Sequence, residues 1–202
     1  MKTLDPVLHR IRKEAILQQA RHMFATKGFA ETSMDDIARA NHTQKASLYH
    51  YFKSKQQILH EMINLEGERW ATQLKGSVET ADFKESLLQF GSSFLQSFDD
   101  PARREFFQII HFESHKNPEI FKAFKESPVY RRGPVYELFT KHLEKRLSRI
   151  KIAMLVTQFM GGLIHYATLS RLRNEDMCLE KFEDAEYVQQ LANLVAGGLG
   201  SV

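Results

Sequence analysis

Cysteine is nearly absent from the 202-residue chain. Cys178 stands alone, which excludes a disulfide scaffold and a cysteine-based zinc knuckle. Proline is scarce, with residues only at 6, 101, 118, 128 and 134, and none is flanked by the Asn-Gly or Asp-Gly pairs that close hairpins. No apolar run reaches the 18 or so residues that a membrane span needs. The opening MKTLDPVLHRIRKE holds no apolar stretch that serves as a signal peptide. There is no Gly-rich phosphate cradle, no internal repeat and no low-complexity segment. The expectation is a soluble protein of a reducing cytoplasm.

Hydrophobic residues make up 43% and charged residues 26%, enough to fill a real core. The net charge is only +3, but it is unevenly spread. Residues 1–60 carry ten Lys/Arg against five Asp/Glu, whereas the rest carry eighteen against twenty. Twelve of the fifteen phenylalanines lie beyond residue 60. A small basic head on a larger, aromatic-rich body is the layout of a polyanion-binding unit joined to a separate core.

The hydrophobic pattern is helical throughout. Ile16, Ala20 and Phe24 recur at intervals of four, with Leu17 and Met23 widening the stripe. Gly28 ends this helix as a residue able to take positive φ. A second helix starts after Thr32-Ser33, with Asp35 and Asp36 in its first turn, where carboxylates suit the dipole. A third spans Gln44 to Tyr51, and Ser54-Lys55-Gln56-Gln57 is a capping box for a long fourth running toward Gly76. In the body, helices are expected at about 82–98, 101–115, 118–127, up to 146, 148–173 and 184–199, with a kink or loop over 127–134. The fold class is therefore all-α, with about nine helices. The domains read as 1–55 for the basic head and 56–202 for the body.

Two short helices joined by a tight turn in a basic head raise a helix-turn-helix. Ala38 is small enough for the helices to cross closely, and Leu48, ten residues on, is the buried anchor of the second. His42 stands where the turn needs a residue that tolerates the left-handed region. Gln44, Lys45, Ser47 and His50 are left at the entrance and outer face, and their donors and acceptors suit base edges and phosphates in a major groove.

Residues 11–60 resemble the DNA-binding domain of TetR-family (TetR/AcrR-like) transcriptional regulators of bacteria. The resemblance is carried by Ile16-Leu17-x-x-Ala20-x-x-x-Phe24-x-x-x-Gly28-Phe29, by Thr32-Ser33-Met34-Asp35-Asp36-Ile37-Ala38, and by Leu48-Tyr49-His50-Tyr51-Phe52-Lys53-Ser54-Lys55. It covers about a quarter of the chain. The family's usual Gly-Val-Ser-x-Gly is here His42-Thr43-Gln44-Lys45-Ala46, a departure at positions that reach DNA. Thr43 adds a hydroxyl that needs a partner, and Gln44 is a poorer cap than serine. The resemblance implies base contacts by Gln44, Lys45 and His50, with Ser47 close to bases or phosphate. It implies phosphate contacts by Tyr51, Lys55 and Thr32 or Ser33. Tyr49 has two readings, a DNA contact or a ring packed within the head with only its hydroxyl reaching a phosphate.

The resemblance also implies that the body dimerises and holds a small-molecule pocket, with ligand shifting the heads away from the roughly 34–36 Å spacing of one DNA turn. The last two helices are too apolar for one neighbour each, and Gly161-Gly162 admits a second backbone or marks a kink by the pocket. The expected interface residues are Phe159, Gly161, Gly162, Tyr166, Leu191, Leu194 and Val195. Candidate ligand contacts are Phe94, Phe98, Phe106, Ile110, Phe124, Phe139, Phe159 and His165, or these aromatics are plain core. So many phenylalanines favour an apolar or aromatic ligand.

Two rivals remain. His111 and His115 stand at i and i+4, the spacing of a metal pair, but the zinc-protease signature would need Glu directly after the first His, and no third ligand stands out. Alternatively the same fold binds DNA as a structural or cell-division factor without an inducer. The expected function is a cytoplasmic, homodimeric repressor that binds a palindromic double-stranded DNA operator and is released by a small effector, with no catalysis, no metal and no cofactor.

Overall fold

The structure is a computed structural model, and it describes residues 5–75, 82–127, 130, 133–172 and 183–198. The expected helix end at Gly76, half of the 127–134 kink (residues 128, 129, 131 and 132), and Cys178 lie outside the described residues. Among the described residues the chain forms ten α-helices and no strand. The all-α reading holds, and the ten helices fall in the ten stretches named above, against a total put at about nine.

The local signals act as the sequence indicates. Helix α1 (Pro6–Thr26) opens on Asp5, whose side chain accepts from the Val7 N–H, and buries Ile16, Leu17, Ala20 and Phe24. Gly28 follows at φ 94°, a conformation that costs a residue with a Cβ. Helix α2 (Met34–Ala40) begins with a reciprocal capping box between Ser33 and Asp36. Helix α3 (Lys45–Tyr51) is short and buries Leu48. Helix α4 (Lys55–Lys75) starts where Ser54 Oγ accepts from the Gln57 N–H at 3.1 Å, although Gln57 Oε1 returns the bond to the Lys53 N–H rather than to Ser54.

Helices α5 (Phe83–Gln96), α6 (Pro101–Gln108), α7 (Pro118–Glu126), α8 (Pro134–Leu143), α9 (Arg149–Ala167) and α10 (Asp184–Gly197) complete the set. The helix expected over 101–115 is interrupted, because Ile109–Glu113 widens into a π turn. A second π turn, Thr168–Leu172, follows α9.

The chain divides into two compact units. The first comprises Met1–Gly67 with Glu105–Tyr130, and the second Glu68–Arg104 with Arg131–Val202. In the first, Phe24, Phe29, Ile37, Leu48, Phe52 and Ile58 are fully buried, together with Phe106 and Ile120 from the later stretch. Each such side chain contributes about 1.5–3 kcal/mol of burial. In the second, rings run in sequence: Trp70 lies 5.4 Å from Phe94, Phe94 5.5 Å from Phe98, and Phe159 about 6 Å from both Phe90 and Phe139. Here α5 and α10 pack so closely that a Cβ on Gly91 would lie 2.7 Å from Val188 Cγ1.

One helix is unusually apolar on average. Arg149–Ser170 is long and apolar enough, by length and composition, to cross a membrane, because no Asp, Glu, Lys or Arg occurs between Lys151 and Arg171. Its glycines and uncharged Thr157 and Gln158 break the apolar run without lowering the average enough to exclude it. Only 28% of its most apolar window is buried within the chain.

An ion network closes the first unit. Arg21, 11% exposed, donates to Glu66 at 2.6 Å and to Glu105 at 2.9 Å, and His22 Nδ1 lies 2.7 Å from Glu105. Removing one partner of a buried pair costs more than the pair contributes net. Arg21→Met is expected to destabilise the protein by about 3 kcal/mol, with part of the loss recovered in Arg21→Met/Glu66→Gln. Urea unfolding of the two variants checks this, and equal stability of wild type and Arg21→Met would remove the network from the account.

Candidate DNA interface

The turn between α2 and α3 has the geometry that the sequence demands. His42 takes φ 50°, and among the described residues it is the one non-glycine at positive φ. The His42 and Thr43 N–H groups donate back to the carbonyls of Arg39 and Ala38, each at 3.0 Å. Ala38 is 2% exposed and Leu48 is fully buried, so the two helices cross at the small residue and are pinned by the large one. Thr43 is half-buried, and its hydroxyl is not among the buried polar atoms that lack a partner.

Helix α3 then presents a polar face. Gln44 takes the capping position without a side-chain capping bond, which leaves its amide exposed. Lys45 pairs with Asp35 at 2.7 Å, and this hydrogen bond, followed by the Asp35 charge, raises the ammonium's pKa. Both partners are about half exposed, so the pair contributes little and releases Lys45 readily. His50 is exposed and Ser47 half-buried. Tyr49 is 38% exposed, so its ring lies at the surface and not within the head. Tyr51 is half-buried against His9, their rings 4.8 Å apart and 26° from parallel.

Three expected contacts are otherwise engaged. Thr32 is 1% exposed and its hydroxyl donates to the Gly28 carbonyl at 2.8 Å, so it braces the turn and has no surface to offer DNA. Ser33 is spent in the α2 capping box, donating to Asp36 Oδ2 and accepting from the Asp36 N–H. Lys55 donates to the carbonyls of Phe29 at 2.6 Å and Ala30 at 3.1 Å, with Nζ 4.4 Å from the Phe29 ring centroid. Desolvation lowers the Lys55 pKa against the opposing pull of Glu119 and Glu31. An ammonium has three N–H groups, so one is left for a further acceptor.

Sequence reading missed Glu113 at this turn, and it placed Asp36 at the start of α2 without its ties to Lys27 and Arg39. Glu113 accepts from the Phe29 N–H at 3.1 Å, and its carboxylate lies 3.1 Å from where a Gly28 Cβ would stand. Asp36 accepts from Lys27 at 2.8 Å, from the Ser33 N–H at 3.0 Å and from the Ser33 hydroxyl, and it pairs with Arg39.

The other expected sites are distributed as follows. Phe94, Phe98, Phe139 and Phe159 are buried in the second unit, whereas Phe106, Ile110 and Phe124 belong to the first. His165 is exposed on α9 and faces no interior. In the second unit, His142 is set beside an aromatic ring. It lies 5.5 Å from Phe83 and 3.3 Å from Ser86 Oγ, and its pKa is lowered by burial and then by Lys141. Of the expected interface residues, Phe159, Tyr166 and Val195 are buried within their own chain. Gly162 serves the packing of α9 on α10, where a Cβ would meet Leu191 at 3.0 Å and the Tyr187 hydroxyl at 3.3 Å. Gly161 faces open space, Leu194 is 75% exposed and Leu191 is half-buried. Among the described residues no three His, Cys, Asp or Glu side chains are grouped to hold a metal, and His111 stacks on Phe107.

The Asp36 carboxyl is held well below its ordinary pKa, first by Lys27 and then by the Ser33 backbone and hydroxyl. A depressed folded-state pKa adds stability above the unfolded value of about 4, and that stability is lost as pH falls toward the folded value. Asp36→Asn is therefore expected to flatten the loss of thermal stability between about pH 5 and pH 3. An unchanged pH profile in the variant would show that Asp36 is not the group responsible.

Comparison with known proteins gives this geometry a family. Residues 16–62 match the family model described as bacterial regulatory proteins, tetR family. The HTH-type transcriptional regulator QacR of Staphylococcus aureus is 32% identical over 63 residues, covering 31% of this chain and 34% of that protein. The HTH-type transcriptional repressor KstR2 of Mycolicibacterium smegmatis is 42% identical over 52 residues, covering 26% and 25%. The match thus spans between a quarter and a third of these relatives' length. Solved structures share the fold along nearly the whole chain. Salmonella enterica GusR superposes with a TM-score of 0.72 at 21% identity, covering 99% of this chain and all of that one. FadR from Bacillus subtilis in complex with stearoyl-CoA gives 0.71 at 16% identity, covering 91% and 97%. The family match thus falls on residues 16–62, which hold the helix-turn-helix and are similar to the tetR family of bacterial regulatory proteins, while the all-helical fold is shared along nearly the whole chain.

Proposed function

We propose that this chain is a ligand-responsive DNA-binding repressor that works as a homodimer in the cytoplasm. The observation that carries the reading is α3, whose outer face offers Gln44, Lys45, Tyr49 and His50 while Leu48 anchors it below. Helices so presented enter a major groove and read base edges through their first residues. Gln44 and Lys45 are assigned to bases, Ser47 and His50 to bases or nearby phosphates, and Tyr49, Tyr51 and the remaining N–H of Lys55 to phosphates. Thr32 and Ser33 are assigned to holding the turn.

A second copy of the chain is the natural cover for the apolar surface left by α9 and α10. Ile150, Met154 and Leu194 are 75%, 59% and 75% exposed, and Gly161 faces open space. A two-fold axis would set these helices against their own copies. The effector is assigned to the second unit, where Phe94, Phe98, Phe139 and Phe159 form an apolar interior and His142 supplies a polar group beside Phe83. An apolar or aromatic molecule fits those surroundings, and the neighbour solved with stearoyl-CoA has a long apolar chain in its ligand. The likeness of the head to the transcriptional regulators QacR and KstR2 supports a role without catalysis.

The deciding experiment is binding of the purified chain to DNA from just upstream of its own gene, against a scrambled duplex, at two salt concentrations. Tight binding to the upstream duplex alone, with two subunits per site, is the expected result. Absence of binding to either duplex would overturn the reading. Within that assay, Lys45→Ala is expected to change which sequence is preferred and to leave stability intact. Lys55→Ala is expected to weaken binding to both duplexes, to lower the salt slope by about one per subunit, and to lower the unfolding temperature as well. A Lys55→Ala variant with unaltered salt slope would reduce Lys55 to its structural role.

The dimer has its own test. Leu194→Asp and Gly161→Trp introduce a charge and a bulk at positions that touch little within the chain. Both variants are expected to sediment as folded monomers, and dimers of unchanged stability would place the interface elsewhere.

A further inference from the structure

The buried face of α1 begins at Ile16, and so does the stretch matched by the family model. The helix itself begins at Pro6. Its opening turns therefore lie over no core of the head, and an ordered helix end without a core beneath it pays conformational entropy for no burial. Side-chain contacts to the end of α3 and to α4 hold these turns. His9 stacks on Tyr51, and Lys13 Nζ lies 5.4 Å from the Phe52 ring centroid while it pairs with Glu61 at 2.5 Å. At 3.6 residues per turn, a helix that turns His9 and Lys13 toward α3 places Arg10 and Arg12 on its two flanks and Val7 and Ile11 on the far side. The exposures agree: Arg10 and Arg12 are exposed, and Val7 and Ile11 are 55% and 57% exposed. Neither guanidinium has a hydrogen-bond or ion-pair partner among the described residues. Two unpaired, always-charged forks thus stand beside the ring assigned above to a phosphate.

We propose that the opening turns of α1 are a second DNA-contacting element, in which His9 positions the Tyr51 ring and Arg10 and Arg12 bind backbone phosphates next to those met by α3. The proposal rests on the DNA-binding reading of the head. It assigns no base contact to these turns, so they enlarge the footprint and the affinity without setting the sequence.

The test uses the full chain and two duplexes of about 40 base pairs, long enough for two half-sites one helical turn apart. One is taken from upstream of its own gene and the other is scrambled. Arg10→Ala/Arg12→Ala is expected to weaken binding to both duplexes alike and to lower the salt slope by about two per subunit. The hydroxyl-radical footprint should shorten, while sequence preference and unfolding temperature stay the same. His9→Ala should lose affinity that His9→Phe, which keeps a ring on Tyr51, restores. An unchanged salt slope and footprint in the double variant, with the wild type still bound, overturns the proposal and leaves the DNA-binding reading standing. Loss of oligomeric state with an intact salt slope also overturns it, and transfers the turns to a contact between copies through Val7 and Ile11. If the wild type binds neither duplex, the reading beneath the proposal fails first.

Discussion

The chain reversal after α1 is the constraint on which the face assigned to DNA depends. The turn that sends the chain straight from α1 into α2 leaves the carbonyls of Gly28, Phe29 and Ala30 outside any helix, and they must be satisfied there. The structure meets this with groups from several stretches. Gly28 supplies the positive φ, Thr32 donates to its carbonyl, Lys55 reaches across from α4 to the carbonyls of Phe29 and Ala30, and Glu113 takes the Phe29 N–H. Each bond alone contributes on the order of 1 kcal/mol, but together they leave the turn one conformation. Ser33 then starts α2 at a fixed angle, His42 starts α3 at another, and the exposed side of α3 is decided by both. The polar face is thus fixed from below as well as from within.

Local physics made most of this legible. Caps, breakers and periodicity act over a few residues, so the starts of α1, α2 and α4, the left-handed residue at 42 and the anchor at 48 all follow from the chain itself. What could not be read is which polar residue is consumed by the fold. Thr32 and Ser33 are neighbours of similar chemistry, yet one is buried against Gly28 and the other forms a cap. Lys55 and Lys45 both look like cations for DNA, yet one is desolvated against carbonyls 25 residues away and the other sits in an exposed pair. Arg21, Glu66 and Glu105 carry no local signal at all, because their pairing spans 84 residues and exists only in the folded unit. Long-range satisfaction of charge is a property of the tertiary arrangement, and single-sequence patterns hold no record of it.

The same limit applies to the aromatic residues of the body. Recurrence at intervals of four places Phe90, Phe94 and Phe98 along one side of the chain, and the structure buries all three. Periodicity specifies a buried face, but a ring in a filled core and a ring lining a ligand site have the same period and the same burial. Polar company separates them better. His165, attractive as a lone histidine on an apolar helix, faces outward, while His142 sits at a ring edge with a hydroxyl beside it. A histidine that burial shifts toward its neutral form offers an acceptor as well as a donor, which an apolar interior otherwise lacks.

Adjacent glycines illustrate how closely the outer and inner demands on α9 are interleaved. Gly162 lets α10 approach until Leu191 and the Tyr187 hydroxyl lie within contact distance of its Cα substituent position, and that hydroxyl donates to the Gly162 carbonyl at 2.9 Å. One residue earlier, 100° round the helix, Gly161 meets nothing. If α9 served only its own chain, the outer face should carry the charges that ordinarily keep an exposed helix solvated. It instead carries Ile150, Met154 and a glycine with no neighbour beside the uncharged Thr157 and Gln158 and His165, in a helix without Asp, Glu, Lys or Arg from Ile152 onward. An apolar outer face of this kind adds nothing to the stability of a lone chain and invites aggregation, whereas against a copy of itself it adds burial without any change in the single-chain core. Its composition fits the homodimer proposed above, and the hydropathy that lets it pass for a membrane span is the same property.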